Sequence, residues 1–164
     1  LWKNNPESQI MPNLYVLVGV PGSGKSTWAL SQEWALSCAY INTDKFVEAY
    51  ARTTGKTYSE VFEFIMPRAV QMMTHEVIAA REQGQDMIWD QTSTTMHSRA
   101  KKLVMLPDYR KIAVVFATPD AAELSRRLNS RPGKTIPDHV VNDMIENFEQ
   151  PTLTEGFDQI WMVS

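Results

Sequence analysis

The sequence holds one cysteine, Cys38, so no intrachain disulfide can form and the oxidised scaffold of a small secreted domain is excluded. No apolar run is long enough to cross a membrane. The longest near the start, LYVLVGV (14–20), falls far short of the roughly 20 residues that a span needs. That stretch also lacks a basic leader and a small-residue cleavage site, so it is not read as a signal peptide and a cytoplasmic protein is expected. A basic surplus is missing too. With 16 Lys and Arg against 19 Asp and Glu the net charge is −3, which argues against coating a duplex and leaves only local contact with nucleic acid. There are no internal repeats, low-complexity tracts or interdomain linkers. What remains is 164 residues, 43% apolar and 21% charged, the size and composition of one globular domain. Residues 1–12, opening LWKNNPESQI, show no clear period and are read as a tail or cloning remnant, with Met11 as a native start and the domain over 13–164.

Apolar runs alternate with segments of helical period. LYVLVGV is bounded by Pro12 and the Pro21–Gly22 pair, as a buried strand would be. A helical stretch to about Ser37 offers Trp28, Leu30 and Trp34 to the core, and AYIN (39–42) is a second short strand. Thr57 and Glu60 have capping-box spacing and open a long helix through Val61, Ile65, Ala69, Met72 and Val77 to Gly84, which Pro67 should kink or split. DMIWD (86–90) is a strand; Thr94 or Thr95 caps a helix towards Leu106. KIAVVFAT (111–118) is the clearest strand, followed by a helix over 121–128 and a loop around SRPGK. Pro137 suits the first turn of a helix carrying Val140, Val141, Met144, Ile145 and Phe148. QIWMV (159–163) is the last strand. This order predicts an α/β fold with a five-stranded parallel sheet and helices on both faces.

The segment Gly19-Val-Pro21-Gly22-Ser23-Gly24-Lys25-Ser26 fits G-x-x-x-x-G-K-[ST], follows a strand and opens a helix. Glycines let successive backbone N–H groups curl round a phosphate, and the helix start adds its positive end. Lys25 can reach the β- and γ-phosphates, Ser26 can offer a hydroxyl to Mg²⁺, and Thr27 extends the polar stretch. The chain is expected to bind a nucleoside triphosphate, ATP, with Mg²⁺.

Regulatory GTPases carry Asn-Lys-x-Asp and Asp-x-x-Gly elements, and neither occurs here. Remodelling ATPases usually end a second strand in an acidic pair, whereas here Trp89-Asp90-Gln91 supplies one carboxylate. A small kinase needs a base, a metal-side carboxylate and a mobile cationic lid. Residues 125–134 hold Arg126, Arg127, Arg131 and Lys134, ending in Pro-Gly; they read as that lid, or else as a solvated basic helix end. Asp90, at a strand's C-terminal edge, would hold a metal water or orient a lid arginine, or cap a helix. Asp44 in INTDKFV would accept the proton of a substrate hydroxyl, or cap the helix that follows.

Together these segments resemble the kinase domain of the bacteriophage polynucleotide 5′-kinase type. GVPGSGKSTWA (19–29) resembles its phosphate loop, INTDKF its strand-end Asp segment, and Asp90-Gln-Thr92 with Arg99 its Asp-x-Thr-Asn…Arg signature. Arg127…Arg131-Pro-Gly-Lys-Thr-Ile-Pro137 resembles its lid, and FEQPTLTEGFDQI (148–160) the end segment of the wider group. The resemblance covers about residues 13–163. It implies a P-loop kinase fold with an Arg-rich lid and ATP- and Mg²⁺-dependent phosphorylation of the 5′-hydroxyl of a DNA or RNA end. Lys25 would hold the transferring phosphate, Ser26 and Asp90 would serve the metal, Asp44 would be the base, and Arg131 would clamp the γ-phosphate. Arg127 would lie nearer the nucleotide base or lid hinge.

Two positions depart from the pattern. Val47 stands where that family has an arginine for the acceptor's 3′-phosphate, with Lys45, Arg52 and Lys56 as substitutes to consider, and Ser93 replaces an asparagine. No Asp-x-Asp-Gly-Thr phosphatase motif is present, so 3′-phosphatase activity is not expected. A kinase for a small metabolite or nucleoside, and an ATP-hydrolysing binding module, are the rival readings. His75 sits with Arg68, Gln71 and Glu82 on the polar face of its helix and reads as solvated, His97 and His139 have no ligand-spaced partners, and Met72, Met73, Trp28, Trp34 and Trp89 read as core.

Overall fold

Period and composition place the strands, and their pairing decides what they bring together. The computed structural model describes residues 10–164, so most of the stretch read as a tail lies outside the described residues. In chain order the elements are β1 (Asn13–Val18), α1 (Lys25–Ser31), β2 (Ala39–Ile41), α2 (Asp44–Thr54), α3 (Tyr58–Glu82) and β3 (Met87–Asp90). They continue with α4 (Met96–Met105), β4 (Arg110–Phe116), α5 (Ala121–Asn129), α6 (Asp138–Glu146) and β5 (Gln159–Val163). All five strands run parallel in the order β2-β3-β1-β4-β5.

β1 is central and, from Leu14 on, buried and largely apolar because both faces of the sheet are covered. Leu14, Val16 and Val18 join Met73 and Val77 of α3, Trp89 of β3 and Leu103 of α4 on one face. Tyr15 and Leu17 join Ala29 of α1, Ile88 and Val114 on the other, where Trp28, Trp34 and Trp161 pack from outside. The side-chain period of two therefore sorts a continuous apolar run into two cores. Trp89 lies in the first core with its indole N–H donated to Gln91, as a strand neighbour of Asp90 should.

Several local expectations change. The helix after the phosphate loop ends at Ser31, because Gln32 turns extended (φ −88°, ψ 125°), and a 3₁₀ turn over Glu33–Ser37 follows. Leu30, expected in the core, is 74% exposed. α3 runs unbroken through Pro67: the proline lies on the exposed side, where the carbonyl that loses its N–H partner meets solvent. Met73 rather than Met72 completes its buried stripe, which follows Val61, Ala69, Met73 and Val77. Thr57–Glu60 forms the expected capping box, and Thr95, with Ser98, caps α4. No helix among the described residues is long and apolar enough to cross a membrane.

Arg99 of α4 is fully buried. Its guanidinium donates to both oxygens of Glu155, at 2.6 and 3.2 Å, and to the carbonyl of Ser93 at 2.9 Å. Ser93 adopts φ 47°, a left-handed conformation unusual for serine, in the loop that leaves Asp90. A buried guanidinium is tolerated only when its donors are met, so this pair fixes the loop between β3 and α4 against the turn before β5. Replacing Glu155 by leucine leaves the guanidinium unpaired and should cost about 3–5 kcal/mol in urea unfolding. The double change Arg99→Met, Glu155→Leu should recover much of that loss, and equal losses in single and double variants would refute the assignment.

Candidate active site

The loop between β1 and α1 is shaped by close approach. A Cβ on Gly19 would sit 2.5 Å from Ser23 Oγ and 3.1 Å from Phe116 Cβ, so any side chain there would have to displace both neighbours. Gly24 caps α1 at φ 95°, a left-handed conformation that turns the chain into the helix. The loop is pinned to the β3–α4 connection by the Gly19 N–H, which donates to the Thr92 carbonyl at 2.9 Å. Lys25 Nζ lies inside the curl, donating to the carbonyls of Gly19 (2.9 Å) and Val20 (3.0 Å). Burial lowers its pKa to about 8, the Asp90 carboxylate opposing part of that fall. Ser23 Oγ is buried in the loop with no partner. A cationic, glycine-lined cradle with an unpartnered hydroxyl fits a phosphate, which would accept from both groups.

Parallel pairing sets Leu17 of β1 opposite Asp90 of β3, so this carboxylate emerges beside the loop. Its Oδ2 accepts from Ser26 Oγ at 2.7 Å and also from the Tyr40 hydroxyl. Burial and the neighbouring Asp90 charge push the Tyr40 pKa upward, keeping it a donor. An oxygen pair of hydroxyl and carboxylate at the edge of a phosphate loop is the ligand type that Mg²⁺ takes. Asp90 is not a helix cap, since Thr95 performs that task for α4.

Asp44 is the first residue of α2, and it does not cap the helix either. Asn42 Oδ1 instead accepts from the Lys45 N–H at 3.3 Å, and Thr43 makes no side-chain cap. Both Asp44 oxygens are held from elsewhere: Oδ1 accepts from the Tyr58 hydroxyl at 2.6 Å and Oδ2 from Lys134 Nζ at 3.0 Å. The Lys134 ammonium also lies 4.3 Å from the Tyr58 ring centroid. Burial, then the Asp44 carboxylate, raises the Tyr58 pKa, so the phenol remains protonated.

The basic segment divides. Arg126 is a solvated surface residue paired with Glu123, whose carboxyl the hydrogen bonds from Arg126 and Arg127 hold down to about 2. Arg127 turns inward and donates to the Gly22 carbonyl at 3.0 Å. Arg131 and Lys134 line a cleft of about 410 Å³ together with Lys25, Ser26, Asp44 and Asp90. Pro21, Gly22, Gly24 and Thr27 also border it, and its outer wall is Tyr58, Phe62 and Met66, so residues from five separate sequence segments meet in one space. Val47 is wholly buried among Ala51, Val61 and Ala69, and Lys45 is drawn away to Glu76 at 2.5 Å and the Tyr40 carbonyl. Tyr40 and Tyr58 were not singled out in the sequence, where the only signal was Tyr58 following the capping Thr57.

Over residues 14–151 the sequence matches the family described as AAA domain. It is 24% identical over 161 residues to mouse heterogeneous nuclear ribonucleoprotein U-like protein 2, covering 88% of this chain and 20% of that protein. The chain thus spans about one fifth of the length of the curated relatives it matches. A candidate kinase from Chloroflexus aurantiacus superimposes with a TM-score of 0.69 at 19% identity, covering 93% of this chain and 88% of that one. A chain of the Pnkp1/Rnl/Hen1 complex is similar with a TM-score of 0.52 at 29% identity, over 71% of this chain and 39% of that one. The sheet order, the loop after β1 and these likenesses give a P-loop kinase fold, and the family match extends over well more than half of the sequence. The chain belongs to the AAA domain family.

Proposed function

We propose that the protein transfers the γ-phosphate of ATP to the 5′-hydroxyl of a DNA or RNA end. The observation that carries this reading is Asp44: a carboxylate held on both oxygens, in the same cleft as the phosphate loop, Arg131 and Lys134. Tyr58 fixes its orientation. Asp44 accepts the proton of the acceptor hydroxyl, that oxygen forms a bond to the γ-phosphorus, and the bond from phosphorus to the β–γ bridging oxygen breaks. The bridging oxygen leaves with its electron pair on ADP. Lys25 and Arg131 stabilise charge on the transferring group, and Arg127 holds the loop carbonyl of Gly22. Ser26 and Asp90 would hold Mg²⁺, which neutralises phosphate charge when bound.

The resemblance to the phage kinase type supports a polynucleotide acceptor, as does the 29% identity to the Pnkp1/Rnl/Hen1 complex. The curated relative is by name a ribonucleoprotein. A second reading, a kinase for a small alcohol, is favoured by one observation: the buried Val47 offers no cation for a phosphate on the acceptor. Incubation with γ-labelled ATP and a 5′-OH oligonucleotide, a nucleoside 3′-monophosphate or no acceptor separates the readings. Label on the oligonucleotide is expected, and its absence under saturating Mg²⁺ and ATP would sink the proposal. Phosphate release without any acceptor would instead mark an ATP-hydrolysing module.

Asp44→Asn should abolish transfer and leave ATP affinity near that of the parent, and a normal turnover number would remove Asp44 from the chemistry. Arg131→Ala should lower turnover on the order of 10³-fold, the scale of other cations on this transition state. The Lys25 amine, with its pKa near 8, is already charged at pH 7. At pH 9 it must take up a proton before it can pair with phosphate, so ATP affinity should weaken about tenfold between pH 7 and 9. Titration calorimetry in buffers of different ionisation enthalpy should show proton uptake at the higher pH, and none would contradict the role of Lys25.

A further inference from the structure

Beside the cleft lies a wider groove of about 650 Å³, bordered by the C-terminal half of α2, the turn into α3 and the loop over 130–134. Tyr58, Arg131 and Lys134 belong to both spaces, so the groove opens directly from the neighbourhood of Asp44. Its charged lining is Arg52, Lys56, Arg131 and Lys134 against the single carboxylate of Glu48, a local surplus of +3 in a chain whose net charge is −3. Lys134 is paired with Asp44, while Arg52, Lys56 and Arg131 make no ion pair among the described residues. Like charges gathered across a groove repel one another until an anion lies between them.

The two walls of the groove touch at the start of α3. Gly133 packs against Thr57, where a Cβ would meet the threonine side chain at 3.0 Å. Its carbonyl accepts from the Ser59 N–H at 3.1 Å, and Ser59 Oγ accepts from the Thr135 N–H at 2.8 Å. The basic loop is thus pinned to the start of α3, which holds Arg131 and Lys134 opposite Arg52 and Lys56. The other side of the cleft is apolar, formed by Phe62 and Met66, with Phe62 stacked near Tyr58 at a centroid distance of 5.6 Å.

We infer that the acceptor strand leaves Asp44 through this groove, its internucleotide phosphates lying on Arg52 and Lys56 and its terminal base against the Tyr58–Phe62 rings. The inference rests on the polynucleotide reading above and names the part of the molecule that replaces the cation missing at Val47. Charge takes the backbone and an aromatic face takes a base of any sequence, so the site is predicted to select a single strand over a particular sequence.

The test compares the parent protein with Arg52→Glu/Lys56→Glu, and with Arg52→Gln/Lys56→Gln as a milder variant, on a 5′-OH dodecanucleotide from 50 to 200 mM salt. The charge-reversed protein should show a KM for the oligonucleotide raised on the order of tenfold at low salt. The slope of log KM against log salt should flatten by about 1.4, since each of the two lost contacts with a single strand removes roughly 0.7. Turnover number and the KM for ATP should hold, which also reports that the variants are folded. If the parent labels the oligonucleotide and both variants keep its KM and salt slope, the groove assignment is overturned while the kinase reading stands. If the parent labels no oligonucleotide, both fall together.

Discussion

The parallel pairing of β1 with β3 on one side and β4 on the other is the constraint from which the site follows. Leu17 opposite Asp90 brings the end of β3 level with the start of the phosphate loop. The pairing of Ile41 with Trp89 then sets the end of β2, and Asp44 just beyond it, on the same edge. Parallel strands have their C-terminal ends together, so three polar termini converge without any loop having to travel far. Antiparallel pairing of β1 and β3 would put Asp90 at the opposite edge from Ser26. The register is itself enforced by burial: slipping β1 by one residue would exchange the two cores and aim Tyr15 at the helices packed for Val16.

On that edge, hydrogen bonds assign tasks that position alone left open. A carboxylate at the start of a helix has an obvious local role in capping it. Here Asn42 and Thr95 do the capping, and Asp44 and Asp90 are turned inward to hydroxyl and ammonium donors. The basic segment is sorted in the same way: Glu123 holds Arg126 at the surface, Arg127 bridges Glu123 and the Gly22 carbonyl, and Arg131 and Lys134 line the cleft.

The strands and the phosphate loop were legible because their signals are local: an apolar run, a glycine spacing, a lysine followed by serine. The Thr57 capping box was legible for the same reason. Relations across the chain were not. Tyr58 meets Asp44 from 14 residues away, Tyr40 meets Asp90 from 50, Arg99 meets Glu155 from 56 and Lys134 meets Asp44 from 90. Nothing in the local pattern distinguishes a tyrosine that orients a carboxylate from one that packs in a core. Helix interiors misled in a smaller way: Leu30 and Met72 have the right spacing but sit past the edge of the buried stripe, and Pro67 is tolerated because its side of α3 faces water.

The buried Arg99–Glu155 pair carries a consequence for the order in which the molecule matures. A ribosome delivers the phosphate loop, Asp44 and Asp90 long before it delivers Glu155. Until that residue arrives, the Arg99 guanidinium has no carboxylate, and the loop that supplies the Thr92 carbonyl to Gly19 lacks its anchor. The loop after β1 thus depends, through the Thr92 carbonyl and the buried Arg99, on a carboxylate in the turn before β5, and a change at Glu155 reaches that loop without touching it.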